Sequence, residues 1–171
     1  MDTYNLIELP TEIILNLLLS LSDSDLHQIC LLNTTISQIC SSDFFWQLKV
    51  NQLGFTRKHP NKSWKQFYQY LKTPIQLDVI ESYQDIITYP FKPDVFILPT
   101  ETISQIISKI VSLYKERTIN MASINRLEII IEPLFASVKN VQAKNPIFIG
   151  IPSNKKFAEF NTPLKFKLLS K

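Results

Sequence analysis

Residues 9–21, Leu-Pro-Thr-Glu-Ile-Ile-Leu-Asn-Leu-Leu-Leu-Ser-Leu, constrain this chain more than any other stretch. Pro10 suits a first helical position, where its missing N–H goes unused and its fixed φ is already helical. Glu12 then sits in the first turn, facing the positive end of the helix dipole. Ile13, Ile14, Leu15, Leu17, Leu18, Leu19 and Leu21 follow, with only Asn16 and Ser20 between them. At about 100° per residue these seven positions cover most of the helix circumference, whereas a surface helix needs an apolar stripe of about 100°. A helix like this is either central to a large domain or offers a second apolar face to another protein. The surrounding unit is short, which favours the second option.

The next residues build that unit. Ser22 and Asp25 have the spacing of a helix cap and its third residue, a short form of the capping box. Leu26, Ile29 and Cys30 recur at helical spacing, and Leu31-Leu32-Asn33 reads as a kink or brief break. A third helix presents Ile36, Ile39 and Cys40. Ser41-Ser42-Asp43 caps a fourth, which carries Phe44, Phe45 and Trp46 and is closed by Gly54 in the left-handed conformation. Such a unit buries a small fraction of its surface, yet it is rich in large aliphatics. More apolar surface than its own core can absorb implies a docking face.

Leu9-Pro10-Thr11-Glu12-Ile13, then Leu17, Leu21, Leu26, Ile29, Leu32, Ile39 and Trp46, resemble the F-box family in residue type and spacing across about a quarter of the chain. Thr34 stands where that family usually carries a basic residue, and Ile36 where it often carries an aromatic one. The resemblance implies a module that binds a Skp-type adaptor and, through it, a cullin–RING ubiquitin ligase. Carried over by position, Leu9, Pro10, Ile14, Leu17, Leu21, Leu26 and Leu32 would contact the adaptor, with Trp46 supporting the packing. In an arbitrary protein, leucines at helical spacing are more often core than interface.

Charge is unevenly distributed. Residues 1–53 hold six acids and one base, and residues 54–74 hold five bases and no acid. Residues 54–62 read as a loop. Ser63 caps a linker helix with Trp64, Phe67, Tyr68 and Leu71 on one stripe, stopped by Thr73-Pro74. Bases interleaved with aromatics over residues 55–72 also fit a nucleic-acid surface, a weaker reading because the aromatic stripe should be buried.

Past Pro74 the period changes. Residues 76–81, 85–89, 94–98, 126–132, 146–151 and 164–169 read as strands, and residues 154–163 as a loop. Thr100 or Thr102 caps a helix whose Ile103, Ile106, Ile107, Ile110, Val111 and Tyr114 form one clean stripe. The expected fold class is therefore α+β. A small helical bundle (1–53) and a basic loop with linker helix (54–74) precede a substrate-binding domain (75–171). In that domain one long helix lies on a mixed or antiparallel sheet, similar in element order to a β-grasp.

Catalytic chemistry is sparse. The histidines are His27 and His59, and the glycines Gly54 and Gly150, which excludes a glycine-rich phosphate loop. Cys30, three residues from His27, reads as a small buried cysteine beside a surface histidine rather than as half of a Cys–His nucleophile pair. Cys30 and Cys40 lack metal-ligand spacing, and two cysteines without a secretory signal point to a reducing, intracellular setting. Glu128 and Glu132 share one strand face, the ordinary pattern of a solvated sheet. The apolar run at 13–21 is too short to span a bilayer. The chain reads as a non-enzymatic receptor, cytoplasmic or nuclear, that needs no cofactor and brings an unknown protein substrate to a ligase. The alternative is a structural or interaction protein with an F-box-like fold that recruits no ligase.

Overall fold

The computed structural model describes residues 9–83, 87–90, 94–117, 124–131, 134–139, 147–160 and 164–170. The chain divides into two compact units, residues 1–70 and 71–171, and is α+β overall.

The first unit is helical: α1 (Thr11–Ser20), α2 (Asp23–Leu32), α3 (Thr34–Ser41), α4 (Asp43–Gln52) and α5 (Trp64–Lys72), whose last two residues fall past the division. Short side chains punctuate it. The Ser22 hydroxyl accepts from the Asp25 N–H at 3.2 Å, Asn33 Oδ1 from the Thr35 N–H at 2.7 Å, and the Ser42 hydroxyl from the Phe45 N–H at 3.2 Å. Each supplies an acceptor to a donor that the first helical turn leaves unpaired. Asn33 is the single residue between α2 and α3, so the expected break is one residue long. Gly54 takes φ of 81° just past α4, where a Cβ would be disfavoured. Ser63 and Gln66 form a reciprocal cap on α5.

Helix α1 packs on α4, α2 on α3 and α3 on α4. The core includes Ile14, Leu18, Leu26, Ile36, Phe45, Val50, Phe55 and Phe67. Trp46 joins it: its indole N–H donates to the Cys40 carbonyl at 2.7 Å, and its ring meets Phe45 and Tyr68 at 5.3 Å each.

The second unit holds β1 (Ile75–Tyr83), β2 (Ile87–Pro90), β3 (Val95–Ile97), α6 (Ile103–Arg117), β4 (Ile124–Ile131), β5 (Leu134–Lys139), β6 (Ile147–Ile149) and β7 (Lys165–Ser170). The sheet runs β2-β1-β7-β4-β5-β6, and β3 pairs with the first residues of β1. Strands β1 and β7 are parallel and every other described pairing is antiparallel, so the sheet is mixed. A parallel neighbour needs a long crossover, and here the whole span between β1 and β7 supplies it.

Leu77 and Val79 on β1, and Val95 and Ile97 on β3, face a common core. The α6 stripe Ile103, Ile106, Ile107, Ile110, Val111 and Tyr114 meets them there, every member buried. Thr102, not Thr100, is the cap, in reciprocal hydrogen bonds with Gln105. The Ile103 and Ser104 N–H groups donate to the Lys155 and Ser153 carbonyls. Ser153 and Lys155, around the start of the expected loop, therefore close the helix N-terminus. The described part of that loop also holds a short 3-10 turn, Phe157–Glu159, that sends Phe157 into the core, and residues 161–163 lie outside the described residues.

Two features depart from the sequence reading. Strand β5 was not expected: it pairs back along β4 with Ile131 opposite Leu134, and the two residues between them, Glu132-Pro133, are not a hairpin signature. The cysteines are not free thiols. Cys30 and Cys40 form a disulfide, because the one-residue break at Asn33 folds α3 back along α2 and brings their Cα atoms to 6.0 Å. Among the described residues no helix is long and apolar enough to cross a membrane.

Candidate docking surface

Helix α1 divides its apolar side chains between two jobs. Ile14 and Leu18 are buried against the bundle, whereas Ile13 and Leu17, at 46% and 43% relative exposure, face outward. The outward pair lies about 100° round the axis from the inward pair, as their spacing requires. Leu9 and Pro10, just ahead of the helix, are exposed too. Leu31 and Leu32 end α2 at 74% and 79% exposure, and Phe44 is exposed in the first turn of α4. Single exposed leucines are ordinary on protein surfaces, whereas a contiguous apolar patch is what makes a candidate recognition surface.

The seven adaptor contacts expected from the sequence therefore separate. Leu9, Pro10, Leu17 and Leu32 are exposed, and Leu21 is half-buried. Ile14 and Leu26 are buried within the helical unit and hold it together; neither offers free surface. Ile13, part of the family pattern but not among the expected contacts, and Leu31 and Phe44, outside that pattern, are exposed as well. The sequence signal that could have found Ile13 is its four-residue offset from Leu9 and Leu17.

A lysine secures the end of this helix. Lys49 on α4 is buried, and its Nζ donates to the Leu19 and Leu21 carbonyls at 3.0 Å each. Those carbonyls are the unpaired, negative end of α1, where a cation is favoured. At the other side of the unit the Tyr68 hydroxyl donates to Asp23 Oδ1 at 2.6 Å, tying α5 to the first turn of α2. Burial, with the Asp23 hydrogen bond and charge adding to it, holds the Tyr68 hydroxyl well above its ordinary pKa. Burial alone raises Tyr70.

Four aromatics of the basic segment, Phe55, Phe67, Tyr68 and Tyr70, are engaged within the protein, and Trp64, expected on the buried stripe, is half-buried. Phe67 and Tyr68 are buried, Phe67 against Phe55, and the Lys62 and Lys65 ammonium groups lie over the Tyr70 and Trp46 rings at 5.5 and 5.6 Å. The buried Phe55, Phe67 and Tyr68 rings leave little face on which a nucleic-acid base could stack. His27 is exposed, and His59 Nδ1 accepts from the Asn61 N–H. Glu128 stands in register with Ser137 on β5 and Lys167 on β7, and Glu132 lies outside the described residues. Among the described residues no group of three or more His, Cys, Asp or Glu side chains is arranged to hold a metal ion.

No family model, curated protein or solved structure matches this chain.

Proposed function

We propose that this chain is an F-box-type substrate receptor. Its helical unit docks on a Skp-type adaptor of a cullin–RING ubiquitin ligase, and its α+β unit presents a protein target. The mechanism is positional. The ligase supplies the chemistry, and this chain raises the concentration of its target beside it, inside the cell and in the cytoplasm or nucleus. The observation that carries the reading is the exposure of Leu9 and Pro10 just ahead of α1, and of Ile13 and Leu17 on it, while Ile14 and Leu18 already anchor the helix. Such a face suits an interface of about 800 Å² per partner with an aliphatic centre. Leu32 and the half-buried Leu21 extend it in this reading.

The test is association of the full chain with a purified Skp-type adaptor, measured by co-elution and titration calorimetry. A stable complex is expected, weakened at least about tenfold by Leu9→Ala/Pro10→Ala or by Leu17→Ser. An intact chain that binds no such adaptor would leave the alternative, a structural or interaction protein that keeps this bundle and recruits no ligase.

A further inference from the structure

The disulfide joins two helices that bury few side chains. Helices α2 and α3 have ten and eight residues, each too short to hold its shape alone in water. Their order is borrowed from contacts, yet α2 buries only Leu26 and α3 only Ile36 and Cys40. One residue, Asn33, joins them. The Cys30–Cys40 bond closes a loop over that joint, enclosing the exposed Leu31 and Leu32. Its two sulfurs belong to unlike residues. Cys40 is buried and its carbonyl receives the Trp46 indole N–H, whereas Cys30 is half-buried at the open end of α2. An incoming thiolate reaches Cys30 first.

We propose that Cys30–Cys40 is a reversible thiol–disulfide switch, with a small thiol of the glutathione class as co-reactant, that clamps α2 to α3 when oxidised and loosens them when reduced. In reduction a glutathione thiolate attacks the Cys30 Sγ. The protein S–S bond breaks, and its electron pair leaves on the Cys40 Sγ, which takes a proton. A second glutathione thiolate then attacks the glutathione sulfur of the mixed disulfide. Cys30 leaves as a thiolate and is protonated, giving two protein thiols and one glutathione disulfide. Oxidation runs the same steps backward, two electrons passing from the protein thiols to glutathione disulfide. Reduction restores to the unfolded segment the freedom that the closed loop had removed, so the pair opens more often.

The experiment uses the full chain, equilibrated against stepped ratios of reduced to oxidised glutathione, trapped with an alkylating reagent and read by mass. Amide hydrogen exchange over residues 26–41 is followed in the same samples. A single two-electron transition is expected, with exchange rising roughly tenfold or more on reduction and recovering on reoxidation. In Cys30→Ser/Cys40→Ser, exchange should be fast at every ratio. Should that variant not fold, the wild-type comparison between the two states decides alone. Thiols that stay free at every ratio, bonding only between chains, or exchange indifferent to the redox state would overturn the proposal. Adaptor binding is not among these readouts, so the switch and the docking reading fail independently.

Discussion

Helices α1 and α6 are both rich in isoleucine or leucine, and they use that wealth in opposite ways. All six stripe residues of α6 are buried in one core with β1 and β3, and its outward positions carry Ser104, Gln105, Ser108, Ser112, Lys115 and Glu116. Helix α1 buries Ile14 and Leu18 but turns Ile13 and Leu17 outward. An amphipathic helix is satisfied by its own fold. One with apolar residues on two faces is satisfied only halfway, and the remainder is available for another molecule. The difference between the two helices is thus one of closure: α6 consumes its apolar stripe within its own core, and α1 keeps part of its apolar surface in reserve.

Four variants would break or sharpen that contrast. Phe166→Ala, at a fully buried position in the closed core, should cost about 3–5 kcal/mol in chemical denaturation. A cost near that of a surface change would mean the core is not closed. In the open unit, Lys49→Ala should cost about 2–3 kcal/mol, because two carbonyls of α1 lose a charged donor in a buried place. Faster amide exchange confined to the last turn of α1 and its contacts would identify the cause.

Tyr68→Phe should cost about 1–2 kcal/mol by removing a hydrogen bond to a carboxylate. It also has a pH signature. The folded Tyr68 pKa lies above the ordinary 10.0, so the native state holds this proton more tightly than the unfolded chain. The stabilisation is complete below pH 10.0 and declines as pH rises above it. Tyr68→Phe should flatten that alkaline loss of stability; Tyr70, also raised, contributes a part that remains. The smallest effect belongs to Ile13→Ser/Leu17→Ser. These side chains are already exposed, so stability should change by no more than about 0.5 kcal/mol per site. A thermal melt showing a loss of several kcal/mol would place them in the core and erase the distinction between the two helices.

Much of the architecture was legible because it rests on local rules. Ser22, Ser42 and Ser63 cap helices where the sequence placed caps, and Gly54 closes α4 with positive φ. The α6 stripe is buried residue for residue, and the alternation on β1 matches its burial at Leu77 and Val79. Strand β5 escaped notice because nothing at Glu132-Pro133 signals a tight hairpin, and only pairing with β4 and β6 defines it. The exposed apolar face was half legible. Family spacing picked out seven positions, but spacing along a helix carries no record of which side faces its own bundle, and Ile14 and Leu26 proved to face inward.

By itself the sequence determined the helices, their caps, most strands and the surplus of apolar side chains in residues 9–53, since periodicity and end chemistry act between residues a few positions apart. Only the tertiary structure decided that Lys49 terminates α1, that Tyr68 holds Asp23, that Cys30 meets Cys40, and that β1 runs parallel to β7. Each of these joins groups that approach only after the chain folds back on itself. Their energies depend on distance, burial and the direction of a donor or a bond. No linear pattern of residue types encodes those quantities.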